Sequence, residues 1–449
     1  MENKLMSWIE AKLLPIANKI QRNKYLQAIQ SAFMTCMPIM LVGSIVIILT
    51  RPWVDYTTMD PSAFGYSFFY GWQTLIDNFG APLLVLRSMT LYSLSLWVTL
   101  AISYHLAVRY KMDTAITPIV ALLQFFVLCT TKTGDGGLSN DWWGGEGLFA
   151  AIVIGILVTE IYRFFVVKKI GTIQMPEMVP PALKRSFESI FPVIFTTAIC
   201  SVVSIIFQCG FKITFPAAIL ALFHPFVLAI DNVFGLAISS ILSQIVWWFG
   251  IHNTAVTSML EPLMYANLAT NSAAYAAGTA ATALPTVWTE SLWWNFMVTG
   301  GSGATLVVAF LLLKSKSKQM KTVGKLAVIP ALFNINEPII FGLPIIYNPY
   351  LAIPFFLAPM VCASTAYWAI KLQLVSPIIA QVPWPSPIGI GAFIGTAGDV
   401  RALLLALING VIAFLIYFPF IKMYDKKLLK EESSLNSDLD EELEPSLDH

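Results

Sequence analysis

One acidic side chain, Glu337, interrupts the stretch from Leu326 to Ile370, which otherwise holds no Asp, Glu, Lys or Arg. A charge set deep in apolar sequence is costly and is a functional candidate by default. Its surroundings read Asn334-Ile335-Asn336-Glu337-Pro338. Proline lacks an N–H and disfavours helix in the residue before it, so the chain is expected to break here. Lipid cannot satisfy the backbone groups of a break, which must therefore face protein or water. A carboxylate so placed can accept hydrogen bonds from sugar hydroxyls or take up a proton. The plainer reading is a carboxylate capping a short helix at the membrane surface. Three polar side chains converging on one break favour the functional reading.

His252 is the second candidate, in Trp247-Trp248-Phe249-Gly250-Ile251-His252-Asn253-Thr254. It is the only ionisable side chain from Asn232 to Leu260. Gly250 permits a bend, and imidazole both donates and accepts hydrogen bonds near neutral pH. A lone apolar-stretch histidine is more often structural, as His105 and His224 read, but the adjoining Gly, Asn and paired Trp favour binding here. Tryptophan supplies a third element, because sugar rings have apolar C–H faces that lie well on an aromatic ring. Trp247, Trp248 and Trp384, the last between Pro383 and Pro385, are candidate platforms. Trp53, Trp72, Trp142, Trp143, Trp293 and Trp294 read as membrane-interface residues.

The elements that must position these residues follow from composition. Of 449 residues, 57% are hydrophobic and 12% charged, against about 25% charged in a soluble domain. So little charge cannot coat a globule in water. This excludes a soluble enzyme, a nucleic-acid binder and a disordered chain. The five cysteines lie in apolar runs without metal spacing, so neither a disulfide framework nor a metal site is expected. There is no phosphate-binding Gly-rich loop with Lys, and no cofactor is expected.

Residues 1–24 read as an amphipathic interfacial helix. Spanning candidates follow at 25–50, 88–108, 114–131, 147–165, 189–211, 291–313, 350–370 and 402–421. The stretches 213–260 and 326–349 are apolar but broken by Pro, Gly and Asn, as extra crossings, interfacial helices or re-entrant hairpins would be. The expected fold is an all-α polytopic membrane protein of about eight to ten transmembrane helices with two re-entrant hairpins and amphipathic interfacial helices. Most of the 27 Lys and Arg fall in clusters that share one side if both termini are cytoplasmic. The broken regions then enter from opposite faces, as two half-crossings meeting in a transporter would. The Pro-rich loop 171–187 divides two membrane halves, 25–186 and 187–425. The acidic stretch 426–449 reads as a disordered cytoplasmic tail.

The chain resembles the membrane component, enzyme IIC, of the bacterial phosphoenolpyruvate-dependent sugar phosphotransferase system. The branch is the lactose/cellobiose/diacetylchitobiose one, with the diacetylchitobiose-specific members a close likeness. The resemblance rests on Met175-Pro176-Glu177-Met178-Val179-Pro180-Pro181, the Trp247 to Asn253 stretch, Asn336-Glu337-Pro338 and Pro383-Trp384-Pro385-Ser386-Pro387. It implies a homodimer in the bacterial inner membrane, with dimerisation through the first half and sugar held between hairpins of the second. It implies separate IIA and IIB partners, the phosphocysteine of IIB phosphorylating the bound sugar at its C6 hydroxyl. The family's sugar-contacting His and Glu map onto His252 and Glu337, and its aromatic contacts onto Trp247 and Trp384. On that footing Glu337 acts as general base to the reactive hydroxyl and His252 orients it. Asn253 and Asn336 serve other hydroxyls of a disaccharide, diacetylchitobiose or cellobiose. The alternative is a proton- or ion-coupled sugar carrier that cycles protons on Glu337.

Overall fold

Long charge-free runs become helices because lipid offers the backbone no other partner. The computed structural model describes residues 22–52, 56–63, 65–134, 136–171, 173, 180–250, 252–343 and 345–443. The interfacial helix expected over 1–24 lies almost wholly outside the described residues, as do residues 174–179 of the Pro-rich loop and the side chain of His224.

The first half comprises α1 (Lys24–Thr50), α2 (Tyr66–Phe79), α3 (Ala81–Thr90), α4 (Leu94–Tyr110), α5 (Ile116–Cys129), α6 (Leu148–Val167) and α7 (Pro181–Ile205). Asn23 opens α1 by accepting the N–H of Tyr25 at 2.9 Å, as N-cap asparagines do. The core between α1, α4, α5 and α6 buries Phe33, Leu94, Ile102, Phe125 and Ile154. At one end of these helices Glu160 gathers Tyr25 at 2.9 Å, Arg163 at 3.0 Å and the Tyr110 hydroxyl. That carboxylate pins the start of α1 to the ends of α4 and α6. His105 bonds Thr35 at 2.8 Å, joining α4 to α1.

The second half comprises α8 (Phe215–Ile230), α9 (Val233–Trp248), α10 (Thr254–Ala276), α11 (Leu306–Leu313), α12 (Lys318–Leu332), α13 (Glu337–Gly342), α14 (Pro349–Lys371), α15 (Ile390–Gly395) and α16 (Val400–Leu443). The helix α14 packs against both α9 and α16. Among the described residues six helices are long and apolar enough to cross a membrane, beside shorter apolar ones. The protein is therefore an all-α polytopic membrane protein, with a single antiparallel bridge, Lys132 to Leu138, outside the helices among the described residues.

Two sequence expectations are corrected. Residues 291–313 are not one span. A helical turn at Glu290–Leu292 and a π turn at Trp293–Met297 lead into a glycine loop, and only then does α11 begin. Gly300, Gly301 and Gly303 all take positive φ, which glycine adopts without strain. Trp293 accordingly lies in the protein core, 1% exposed, instead of at a membrane interface. The tail expected to be disordered from 426 instead continues α16 to Leu443. Its first turns are held by contacts that composition does not reveal: Lys427 pairs with Glu431 at 3.6 Å, and Glu432 bonds Ser317 at 2.6 Å.

Candidate functional site

The break before Glu337 is built by residues on both sides. Asn334 takes φ +60°. Its N–H bonds Ala331 O at 3.1 Å and that of Ile335 bonds Pro330 O at 3.0 Å, closing α12 with a left-handed cap. Pro338 then stands in the first turn of α13, where a missing N–H costs nothing. The stop thus comes from Asn334, and the proline supplies the restart.

The glycine loop packs against this break. Asn336 Nδ2 donates to Ser302 O at 2.6 Å and to Thr305 Oγ1 at 3.0 Å, while Asn334 Oδ1 accepts the N–H of Gly300 at 2.6 Å. Asn253, at the head of α10, donates to Ser302 Oγ at 2.9 Å. Ser302 is therefore the junction between the α9–α10 turn and the α12–α13 break. A third segment reaches the same point, because Asn334 Nδ2 donates to Trp384 O at 2.6 Å. Three irregular stretches meet, each satisfying backbone groups that lipid could not.

His252, Asn253, Asn336, Glu337, Trp247 and Trp384 are thereby gathered into one region. The Trp247 ring lies 4.1 Å from the imidazole of His252. The N–H of Thr254 donates to His252 Nδ1 at 3.3 Å, which assigns the ring proton to Nε2. Glu337 lies near enough for its charge to act on that imidazole. Glu337 and His252 are exposed, not sealed in an apolar wall, and Trp384 is 37% exposed. An exposed carboxylate at a backbone break is a group that faces water.

Other placements differ from expectation. Trp247 is 6% exposed, its ring tilted against that of His252 with an interplanar angle of 52°. It is mostly covered and packs beside the imidazole, in contrast to the open Trp384 ring. Trp248 is spent on structure, bonding Asn348 O at 3.2 Å. Both amide hydrogens of Asn336 hold the glycine loop, so its free capacity is its carbonyl oxygen. Sequence reasoning missed Ser302, Thr305 and the scaffold role of Asn334; the Gly300-Gly301-Ser302-Gly303 run was the available signal. It also missed two buried acids. Glu290 is 5% exposed and accepts from Gln381 at 2.7 Å. Glu261 is close enough for the two charges to act on each other. Among the described residues no group of His, Cys, Asp and Glu has the arrangement of a metal site.

Comparison with known proteins agrees with this geometry. Residues 30–359 match the family described as phosphotransferase system, EIIC. The chain is 33% identical over 433 residues to the oligo-beta-mannoside-specific EIIC component of Bacillus subtilis (strain 168), covering 94% of each chain. It is 31% identical to the cellobiose-specific EIIC component of Geobacillus stearothermophilus, covering 96% of this chain and 97% of that one. Its fold is similar to the crystal structure of the IIC component from the N,N'-diacetylchitobiose-specific phosphotransferase system. There the TM-score is 0.85 with 31% identity, over 95% of this chain and 99% of that one. Helical architecture, the junction of three irregular stretches and these likenesses converge, and the chain belongs to the EIIC family of the phosphotransferase system.

Proposed function

We propose that the protein is the sugar permease of a phosphotransferase system that binds a β-linked disaccharide, with diacetylchitobiose or cellobiose the best candidates. The observation that carries this reading is the meeting of His252 and Glu337, each exposed, at two backbone breaks bound to the same glycine loop. Relatives named for cellobiose, oligo-β-mannosides and diacetylchitobiose support a β-linked sugar. Family membership in a multi-span protein implies a bacterial membrane and work alongside IIB and IIA partners.

In this reading the Nε2–H of His252 donates to the sugar and orients the C6 hydroxyl toward Glu337. The hydroxyl oxygen attacks the phosphorus of the phosphocysteine on IIB, the S–P bond breaks, and Glu337 takes the hydroxyl proton. Trp384 offers a ring face, and Asn336 its carbonyl oxygen. Asn253 acts through the loop that it braces. Once Glu337 has released that proton to water, its carboxylate repels the phosphorylated sugar, now a dianion, which leaves toward the cytoplasm. The termini and the Lys-rich ends face that side, and the first half forms the homodimer contact.

The test is Glu337→Gln in vesicles supplied with phosphoenolpyruvate and all partner proteins. Loss of a general base lowers sugar phosphorylation by about 10²–10⁴-fold. Undiminished phosphorylation would exclude the base role. Unmodified sugar accumulating without the partners would point instead to a carrier that cycles protons on Glu337.

A further inference from the structure

The lysine-rich end of the second half holds a groove that the reaction above does not use. It lies between α11 and α16, which pack together. The Tyr417 hydroxyl donates to Gly303 O at 2.8 Å, and Asp425 accepts the N–H of Lys316 at 3.0 Å. The two helices therefore run in the same direction.

Both carry their side chains in the same order. On α16, Phe414, Phe418 and Lys422 recur at four-residue spacing and share a face. On α11, Phe310 is followed four residues later by Lys314, just past the last turn. Phe310, Phe414 and Phe418 are exposed, and the rings of the last two stack at 5.6 Å. The Lys422 ammonium sits over the Phe418 ring at 5.6 Å, its stem lying along the apolar surface. Between the helices is a cavity of about 350 Å³, lined by these phenylalanines and, toward the lysine-rich end, by Lys314, Lys316 and Lys422.

Positive charge exceeds negative here. Among the described residues none of the three lysines forms an ion pair. The acid on the groove wall, Asp425, is turned to the backbone N–H groups of Lys316 and Ser317. Lys316 also lines an adjoining cavity with Lys318 and Lys430, where Glu432 is likewise held by Ser317 and by backbone N–H groups.

The phenylalanines decide between ligands. Phe414 and Phe418 belong to the apolar span Val400–Ser434, so their exposed rings face hydrocarbon. A small anion in water makes no use of those rings, and a water-soluble protein does not reach them. An amphiphile with a negative headgroup and an acyl chain matches both parts.

We propose that the groove between α11 and α16 binds an anionic phospholipid, its phosphodiester on Lys314, Lys316 and Lys422 and one acyl chain along Phe310, Phe414 and Phe418. The proposed homodimer contact lies in the first half, which leaves the groove open to the bilayer. The lipid ties α11, which follows the glycine loop, to α16 and steadies the turn into α12.

The test is native mass spectrometry of the purified full chain in neutral detergent, titrated with phosphatidylglycerol, phosphatidylcholine or glycerol 3-phosphate. No sugar or phosphoryl donor enters it. The wild type prefers phosphatidylglycerol to phosphatidylcholine by about tenfold or more, and glycerol 3-phosphate does not displace the lipid. Each lysine near a headgroup contributes about fivefold, so Lys316→Gln with Lys422→Gln abolishes the preference, and Lys316→Arg with Lys422→Arg keeps it. Phe414→Ala with Phe418→Ala weakens phosphatidylglycerol retention with the lysines in place, and carries the comparison should the Gln pair fail to fold. Equal retention of the two lipids by the wild type, or an unchanged preference in the folded Gln pair, overturns the site. Displacement by glycerol 3-phosphate marks a free-anion site instead. A Gln pair that keeps its lipid preference but shows a raised KM for IIB marks a partner surface. Either result overturns the lipid assignment.

Discussion

His252 offers its Nε2–H because Thr254 occupies Nδ1, and Trp247 fixes the plane of the ring. His252→Ala removes that donor, and disaccharide affinity falls about tenfold to a hundredfold in titration calorimetry. Trp384→Ala removes a half-open ring face, and the same measurement shows a loss of up to about tenfold. A mostly covered ring predicts a different profile for Trp247→Ala, in which phosphorylation slows because the imidazole loses its backing. His252 and Glu337 were legible in the sequence because each is an isolated ionisable group in an apolar stretch. Glu261 was not, since the charge-free window around His252 ends at Leu260, one residue short of it. Glu290 was hidden by standing at the head of an apparent span, where an acid reads as a boundary.

Among the elements, the glycine loop is the least replaceable. A Cβ on Gly301 would lie 2.5 Å from Asn336 Cγ, at φ +96°. Gly301→Ala therefore strains the backbone and pushes away the Asn336 brace, at a cost of about 1–3 kcal/mol. The expected outcome is loss of sugar binding with the protein still extracted as a helical species. Gly210→Ala, where nothing lies within 4 Å, leaves sugar binding unchanged. The arm formed by α12 and α13 is also held from outside the membrane core. Asp425 accepts the N–H of Lys316 at 3.0 Å and of Ser317 at 2.9 Å, and Glu432 accepts those of Lys318 and Gln319 at 3.1 Å. Carboxylates at a helix N-terminus complement its unpaired N–H groups. Combined Asp425→Asn and Glu432→Gln substitution lowers the melting temperature by a few degrees and loosens the arm carrying Glu337, measured as faster hydrogen exchange over residues 318–332.

For the whole molecule, α1 joins the two halves. Its Phe33 stacks on Tyr265 at 4.6 Å, Ser44 holds Gln381, and Arg51, just beyond it, caps the far end of α10 by bonding Thr279 O at 3.1 Å. These contacts tie the proposed sugar site to the first half. At the opposite end of α11, Lys314, Lys316, Lys318, Lys321 and Lys325 form a basic surface. In the proposed cycle it receives the phosphorylated IIB partner, and such steering is screened by salt. Replacing Lys314, Lys321 and Lys325 with Glu raises the KM for IIB in the phosphorylation assay and flattens its salt dependence, while sugar binding is unchanged.

The sequence by itself determined the membrane fold, most of its spans, the position of both breaks and the side chains exposed there. Those properties are local: charge-free length, proline and glycine, and isolation of a polar residue are all visible within one stretch of chain. Tertiary structure alone decided that residues 291–313 bend through a π turn and a glycine loop, that Trp247 is buried beside His252, and that Glu290 is buried against Gln381. Each of these depends on groups far apart in the chain competing for the same hydrogen bonds and the same buried volume, which no single stretch of sequence records.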